Sequence, residues 1–200
     1  MDRLLPIDPV AVDDMTPYMR SQAQTVKPGG SEESRAIHEA WIGILANAPE
    51  HAEMFLPFYR SIRYDNRLGA RLTELVRLAI AETTQCESCL TGRVPSLMAG
   101  ELTETEIAAI RELDERHFSP RERAGIRFAL NFGGDHHAID AAQWDELREV
   151  FDPEEVMQLS LFCATFLGMG RLSKAVGLIN ATCPLPGQRF GGQALVGDAD

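Results

Sequence analysis

The chain has 200 residues, and 44% of them are hydrophobic, which is enough to bury the core of one compact domain. Its formal net charge is −11 and its cations form no stripe, which argues against nucleic acid as a partner. No run of about eighteen apolar residues occurs, and the N-terminus has no leader pattern. We therefore expect a soluble cytoplasmic protein with no membrane partner.

Helical signals follow one another along the chain, and no strand alternation or hairpin turn interrupts them. The prolines and the glycine pair of residues 1–30 predict an extended arm, with a short helix near residues 15–24. Ser31 is expected to cap a helix that ends at about Ala46. A capping side chain near Asn47 and an early proline, Pro49, predict the next helix, which Pro57 should kink or divide.

Residues 63–69 are read as a polar connection to the strongest helix of the chain. Apolar residues from Leu72 to Ile80 recur at the spacing of a helix with a buried face. Thr83 and Thr84 predict a break before the next helix. Further helix starts are predicted by capping residues, which are Thr103 with Glu106, Ser119 with Glu122, Asp140, and Asp152 with Glu155. The predicted fold class is all-α.

The predicted division has three parts. Residues 1–30 form the arm, residues 31–183 form one helical domain, and residues 184–200 form an irregular tail. Within the domain, residues 35–115 carry the motif and residues 119–182 form a C-terminal helical extension.

Four cysteines are too few and too unevenly spaced for a disulfide framework in a chain of this length. Cys86 and Cys89 form a CxxC pair that is expected on the first turn of a helix, where unpaired N–H groups favour a thiolate. The pair is read first as redox-active. A metal half-site and an inert pair of small core residues stay open as alternatives, although no second CxxC or histidine pair completes a zinc site. Cys163 is expected in the core, and Cys183 is a bystander.

The stretch around the pair resembles the AhpD-like, or carboxymuconolactone decarboxylase, superfamily. The resemblance is carried by Glu74, by the two cysteines that follow after an eleven-residue gap, and by the continuation from Gly100 to Ile107. It covers roughly residues 35–115. It implies an AhpD-like helical bundle with the CxxC at the N-terminus of a core helix, assembled into homo-oligomers.

The resemblance also implies roles for the residues of the motif. Cys89 would meet the peroxide, Cys86 would resolve it, and Glu74 would belong to a proton relay. The family relay usually ends in a histidine four residues after the second cysteine, where this chain has Arg93. An arginine can favour a thiolate by its charge, but it cannot shuttle protons near neutral pH.

Other residues are accessory candidates with structural alternatives. His117, His136 and His137 could replace the missing histidine in space, although the last two lie in a polar loop and are expected to be exposed. Glu82 could be a second acid or a salt-bridged helix end. Glu74 itself could be an ordinary acid that pairs with an arginine of its own helix, Arg71 or Arg77.

The leading hypothesis is a thiol-dependent peroxidase or disulfide oxidoreductase that needs no cofactor. It would act on a peroxide or disulfide and would take electrons from a small thiol or a donor protein. The alternatives are a lactone enzyme of the carboxymuconolactone decarboxylase type and an inactive helical interaction or stress protein.

Overall fold

A computed structural model describes residues 7–25, 32–86, 89–90, 92, 95–98 and 100–177. This part of the chain is helical, contains no strand and confirms the all-α class. Its helices are α1 (Pro17–Ala23), α2 (Glu32–Leu45), α3 (Pro49–Tyr64), α4 (Ala70–Thr84), α5 (Pro95–Met98), α6 (Glu104–Ala108), α7 (Pro120–Gly133), α8 (Ala141–Val150) and α9 (Pro153–Ala175). Two 3-10 turns, Val12–Asp14 and His136–Ala138, precede α1 and α8.

Helix α4 is the central element of the fold, as its apolar spacing predicted. Its residues from Leu72 to Ala81 are buried except Arg77, and it packs against α7 and α9. The end of α7 approaches the end of α4 closely at Gly133, where a Cβ atom would stand 2.1 Å from the hydroxyl oxygen of Thr83. Only glycine fits at such a distance, so the two helix ends are held together.

The N-terminal segment contributes to a second, smaller core. The short helix expected near residues 15–24 is present as α1, and Met19 is fully buried against α2 and α3. This part of the arm is therefore helical and packed on its own chain rather than extended. Residues 26–31 lie outside the described chain, so the capping role of Ser31 stays a prediction. The division of the chain at residue 30 stays a prediction.

Most of the predicted helix starts are confirmed. The capping boxes at Thr103, Ser119 and Asp152 are formed, and each helix that follows begins within one residue of its cap. Asp140 accepts the N–H of Gln143 at the start of α8. These local signals are reliable because each satisfies N–H groups that the first helical turn leaves without partners.

Two expectations about α3, at its start and at its end, are wrong. Its N-cap is Ala48, and the Asn47 amide instead donates to the carbonyls of Asp8, Gly43 and Ile44, which ties the N-terminal segment to α2. Pro57 does not divide the helix, and the kink expected there as the alternative stays a prediction. The helix also continues to Tyr64, so Arg63 belongs to α3 and not to a polar connection. An interhelical contact, which is described below, explains why Arg63 is held there.

Helix α9 is long and apolar, and it supplies the fully buried Leu159, Phe162 and Cys163 to the main core. Among the described helices it is the one whose length and composition would suffice to cross a membrane, with a mean hydropathy of 1.2. Only 17% of that apolar window is buried within the chain. The helix therefore has a second face that this core does not cover.

Candidate active site

The chain turns sharply at the end of α4 and delivers Cys86 to the site. Gln85 adopts the left-handed conformation, with φ 51° and ψ 39°, and the N–H of Cys86 returns to the carbonyl of Ala81 at 3.2 Å. This is the hydrogen-bond pattern of a Schellman helix end. The break expected at Thr83 and Thr84 occurs one residue later, because both hydroxyls donate back to the carbonyl of Ile80 and the threonines stay helical.

The two cysteines are joined in a disulfide, as their spacing predicted, with 5.2 Å between their Cα atoms. The Sγ atom of Cys86 accepts the N–H of Cys89 at 3.3 Å, and the Cys86 carbonyl accepts the N–H of Leu90 at 2.9 Å. Cys86 therefore resembles an N-cap residue, because its side chain accepts an N–H from the helical residue Cys89. Residues 87 and 88 lie outside the described chain.

The two cysteine residues differ in their exposure to solvent. Cys86 is 2% exposed, whereas Cys89 is partly exposed. Cys89 is therefore the more accessible of the two cysteines to an external reagent. The order of roles that the family resemblance implies, with Cys89 meeting the peroxide and Cys86 resolving it, stays a prediction.

Glu74 is a buried carboxylate held between two arginines. Its side chain is 1% exposed and lies 2.7 Å from Arg63 of α3 and 2.7 Å from Arg77 of its own helix. Burial alone would raise the pKa of Glu74, but the hydrogen bonds and charges of Arg77 and Arg63 outweigh it and hold the pKa below its usual value. Glu74 is therefore ionised near neutral pH.

Arg77 connects this carboxylate to the CxxC segment. Its Nε and Nη2 atoms donate to both oxygens of Glu74, at 2.9 and 2.7 Å. On its other side, it donates to the carbonyl of Cys89 at 2.5 Å and to the carbonyl of Gly92 at 3.0 Å. The guanidinium thus fixes the main chain that carries the more accessible sulfur, and it brings a positive charge to it.

Aromatic rings enclose the other arginine. The guanidinium carbon of Arg63 lies 5.6 Å from the ring centres of Tyr64 and Phe166, within cation–π range. The ring of Tyr59 lies 5.4 Å from that of Phe166, and its burial raises the pKa of the Tyr59 hydroxyl even though Arg63 opposes the shift. Tyr59 is therefore a neutral hydroxyl beside the charged cluster.

The accessory candidates are distributed around the molecule. Glu82 forms an ion pair with Arg111 at 2.8 Å, which matches the salt-bridged alternative. His117 is half-buried next to Phe118, while His136 and His137 are exposed and stack on each other with ring centres 4.1 Å apart. Arg93 lies outside the described residues, so its expected role beside Cys89 stays a prediction.

Arg63 and Arg77 are site residues that sequence reasoning did not identify as such. The sequence predicts Arg77 only as a possible helical ion-pair partner of Glu74, and that pair is confirmed, whereas Arg71 pairs with other acids. The i, i+3 spacing of Glu74 and Arg77 was a signal for the pair but not for its contact with Cys89. Within the described part of the chain, no three metal-ligating side chains come together.

The chain was compared with protein families and with known proteins. Residues 49–131 match the model of the carboxymuconolactone decarboxylase family. No curated protein matches the chain significantly in sequence. The similar solved structures and the family model therefore carry the comparison.

Two solved proteins share the fold over most of both chains. The debrominase Bmp8 is 15% identical with a TM-score of 0.67, covering 88% of this chain and 95% of that one. A peroxidase-related protein with an alkylhydroperoxidase AhpD core, from Ralstonia eutropha JMP134, is 18% identical with a TM-score of 0.67, covering 89% and 93%. A cysteine-to-alanine variant of the debrominase, in complex with 2,3,4-tribromopyrrole, gives a TM-score of 0.64 at 16% identity, covering 90% and 96%.

At these identities the solved structures establish only a common fold. The segment that matches the family model contains Glu74 and both cysteines. The match of residues 49–131 to the carboxymuconolactone decarboxylase family confirms the resemblance that the residues around the CxxC pair predicted.

Proposed function

We propose that the protein is a thiol-dependent peroxidase or disulfide oxidoreductase that cycles Cys86 and Cys89 between dithiol and disulfide. The family model and the similar solved structures are those of enzymes, and one of the latter is described as peroxidase-related. The observation that carries the proposal is the cysteine pair itself, which is within bonding distance and consists of one buried and one partly exposed residue.

In the oxidative half of the cycle, the thiolate of Cys89 attacks one oxygen of a peroxide. The O–O bond breaks, Cys89 becomes a sulfenic acid, and the other oxygen leaves as an alcohol or water after it takes up a proton. The Cys86 thiolate then attacks the sulfenic sulfur, forms the disulfide and displaces hydroxide, which leaves as water. The peroxide is reduced by two electrons, and the two thiols supply them.

In the reductive half, an external dithiol or two small thiols return the two electrons by thiol–disulfide exchange. Attack on the partly exposed Cys89 sulfur gives a mixed disulfide and releases Cys86 as a thiolate. A second thiol then attacks the mixed disulfide and frees Cys89. With a disulfide substrate, the same steps run in the opposite direction.

Arg77 and Glu74 act as positioning residues in this proposal. A guanidinium against the Cys89 carbonyl fixes the main chain and favours a negative charge on the nearby sulfur. Glu74 orients the guanidinium through two hydrogen bonds. A carboxylate with a lowered pKa and two arginine partners is a poor proton carrier, so this arrangement favours anchoring over the proton relay expected from the resemblance.

A thiol count after one turnover tests the proposal. Fully reduced protein is mixed with one equivalent of peroxide, and the remaining free thiols are titrated under denaturing conditions. The parent should lose two thiols, and mass spectrometry should find Cys86 joined to Cys89. The proposal fails if both of these thiols survive.

Two variants complete the test. Cys89→Ser should abolish peroxide consumption. Cys163→Ser is the matched control, because Cys163 is fully buried and its burial raises the pKa of its thiol far above the usual range. It should consume peroxide as the parent does. If Cys89→Ser keeps full activity on a lactone substrate, the carboxymuconolactone decarboxylase alternative replaces this proposal.

The third alternative is an inactive interaction or stress protein. Arg93→Ala and Arg93→His separate it from the redox proposal, because this position differs from the family histidine. If the parent consumes no peroxide and Arg93→His does, the interaction protein is the better description. If the parent is active, Arg93→Ala shows whether that arginine contributes to it.

A further inference from the structure

Arg63 is a buried cation whose charge the Glu74 carboxylate does not balance. Its side chain is 10% exposed, and its guanidinium bonds one oxygen of Glu74. Arg77 already donates to both oxygens of that carboxylate, and these two residues form a neutral pair by themselves. A buried charge normally has a partner of opposite charge. The cluster is therefore one negative charge short, on the side of Arg63.

The described part of the chain does not supply this missing negative charge. Arg63 forms no hydrogen bond or ion pair there other than the one with Glu74. The Cys86–Cys89 disulfide carries no charge, so it cannot balance the guanidinium in this state. Because the whole chain carries a net charge of −11, an anion is attracted only where local positive charge outweighs the rest. The Arg63 guanidinium is such a place.

Three aromatic residues lie around the guanidinium of Arg63. Tyr59 precedes it by one turn of α3, and within the described chain the Tyr59 hydroxyl forms no hydrogen bond. Tyr64 and Phe166 each have a ring centre 5.6 Å from the guanidinium carbon, and Tyr64 is 60% exposed. Apolar rings beside a few polar donors are typical of a site for a small organic molecule. We call these four residues the Arg63 subsite.

The Arg63 subsite lies close to Cys89. Arg63 and Arg77 donate to the same oxygen of Glu74, and Arg77 also donates to the carbonyl of Cys89. Three hydrogen bonds and the width of one guanidinium thus separate Nη2 of Arg63 from the Cys89 carbonyl oxygen, a distance of at most about 10 Å. A small aromatic molecule can span it.

We propose that the Arg63 subsite binds the carboxylate of an organic hydroperoxide whose peroxide group reaches Cys89. The carboxylate accepts hydrogen bonds from Arg63 and Tyr59, and the apolar body of the substrate packs against Tyr64 and Phe166. This inference rests on the proposed peroxidase function and names its substrate class. The carboxylate takes no part in the bond changes described above, so the product is the corresponding alcohol with its carboxylate intact.

Two hydroperoxides that differ only in a carboxylate test the proposal. They are cumene hydroperoxide and the same molecule with a carboxylate at the para position of its ring. The carboxylated compound should oxidise the thiols of the pre-reduced parent about 10-fold faster, the effect of one charge-assisted hydrogen bond. Arg63→Met should bring the ratio of the two rate constants close to one. An unchanged ratio in this variant would overturn the proposal.

The ratio of rate constants is measured on one protein at a time, so a general loss of activity in a variant does not change it. Arg60→Met is the matched control, because Arg60 is exposed on the same helix and its replacement removes the same charge. It should keep the parent ratio. Tyr59→Phe should lower the ratio less than Arg63→Met, since it removes a neutral donor. Equal losses in Arg60→Met and Arg63→Met would contradict the Arg63 subsite.

A binding measurement separates this inference from the redox function. 4-Isopropylbenzoate has the shape and charge of the carboxylated substrate but cannot oxidise a thiol, and 4-isopropylbenzamide is its neutral counterpart. Calorimetric titration of the oxidised parent should show about 10-fold tighter binding of the benzoate, and Arg63→Met should remove the difference.

The two measurements together distinguish the possible failures. If the benzoate binds through Arg63 but no peroxide oxidises the thiols, the carboxylate site stands, and the peroxidase function and its hydroperoxide substrate are wrong. If both hydroperoxides react equally fast and the benzoate binds no better than the amide, the peroxidase function stands and the Arg63 subsite is wrong.

Discussion

Two arginine–carboxylate clusters lie one turn apart on α4, and they have opposite compositions. In the first, one acid, Glu74, sits between two arginines, Arg63 and Arg77. In the second, one arginine, Arg71, sits between two acids, Glu106 at 2.8 Å and Glu122 at 2.7 Å. The first cluster has a net positive charge, and the second has a net negative charge.

The second cluster joins two helix starts. Each of its acids uses one oxygen for Arg71 and the other for its own capping box, at Thr103 or Ser119. Burial alone would raise the pKa of both carboxyls. The hydrogen bonds from Arg71 and from the N-cap residues Thr103 and Ser119 outweigh it and hold both pKa values below the usual value. Negative charge at the start of a helix is favoured by the helix dipole.

The difference between the clusters is one of location as well as charge. The Glu74 cluster is buried and touches the main chain of Cys89, where a net positive charge favours a thiolate. The Arg71 cluster is partly exposed and connects α4 to the first turns of α6 and α7. The same residue types on one helix therefore contact the candidate active site in one case and connect helices in the other.

Removal of Glu74 should have the largest effect on stability. Glu74→Ala leaves the guanidinium groups of Arg63 and Arg77 buried without a counter-charge, which should lower the free energy of unfolding by about 3–5 kcal/mol. Urea denaturation, monitored by circular dichroism, measures this loss of free energy of unfolding. Glu74→Gln, which keeps the shape and part of the hydrogen bonding, should lose less. An unchanged midpoint in Glu74→Ala would show that the cluster does not stabilise the fold.

Removal of Arg71 should have an intermediate effect. Arg71→Ala breaks the hydrogen bonds to the two carboxylates and those to the carbonyls of Glu101 and His117, but it leaves the acids near water and in their capping boxes. We therefore expect a loss of about 1–3 kcal/mol. Arg148→Ala is the control, because its pair with Asp145 is exposed and should contribute less than about 0.5 kcal/mol. The assignment fails if both variants show equal losses, or if Arg71→Ala changes the reactivity of Cys89.

Replacement of Arg77 should change reactivity more than stability. Arg77→Lys keeps the charge but cannot hold Glu74 and two carbonyls at once, while Arg77→Gln removes the charge. Loss of the charge should raise the pKa of Cys89 and slow its alkylation by iodoacetamide about 10-fold at neutral pH, which corresponds to one pKa unit. If both variants keep the parent pH profile, Arg77 does not act on the sulfur.

Acidification should produce the smallest difference in stability between variants of the two clusters. Because the folded pKa of Glu74 lies below its unfolded value of about 4.5, its contribution to stability is complete above that value and is lost as the pH falls through the folded pKa. Stability should therefore fall between pH 5 and pH 3 in the parent. The slope should be shallower in Glu74→Gln than in Glu106→Gln. Thermal melts across this range measure it, and equal slopes would contradict the distinction.

The sequence indicated local structure and the reactive pair well. Capping boxes and the spacing from Leu72 to Ile80 predicted helix starts and the central helix, because these signals depend on neighbours within one or two turns. The CxxC spacing likewise predicted two sulfurs within bonding distance. Where a local signal met a distant competitor it was wrong, as at Asn47, whose amide serves the carbonyl of Asp8 instead of a helix start.

The sequence by itself therefore determined that this chain is helical, that its residues 49–131 resemble the carboxymuconolactone decarboxylase family, and that Cys86 and Cys89 can pair. Only the tertiary structure decided that Glu74 is buried between Arg63 and Arg77, that Arg77 contacts the main chain of Cys89, and that α9 keeps an uncovered apolar side. These facts depend on contacts between segments far apart in the chain. Such contacts are set by the packing of whole helices, and no short-range pattern encodes them.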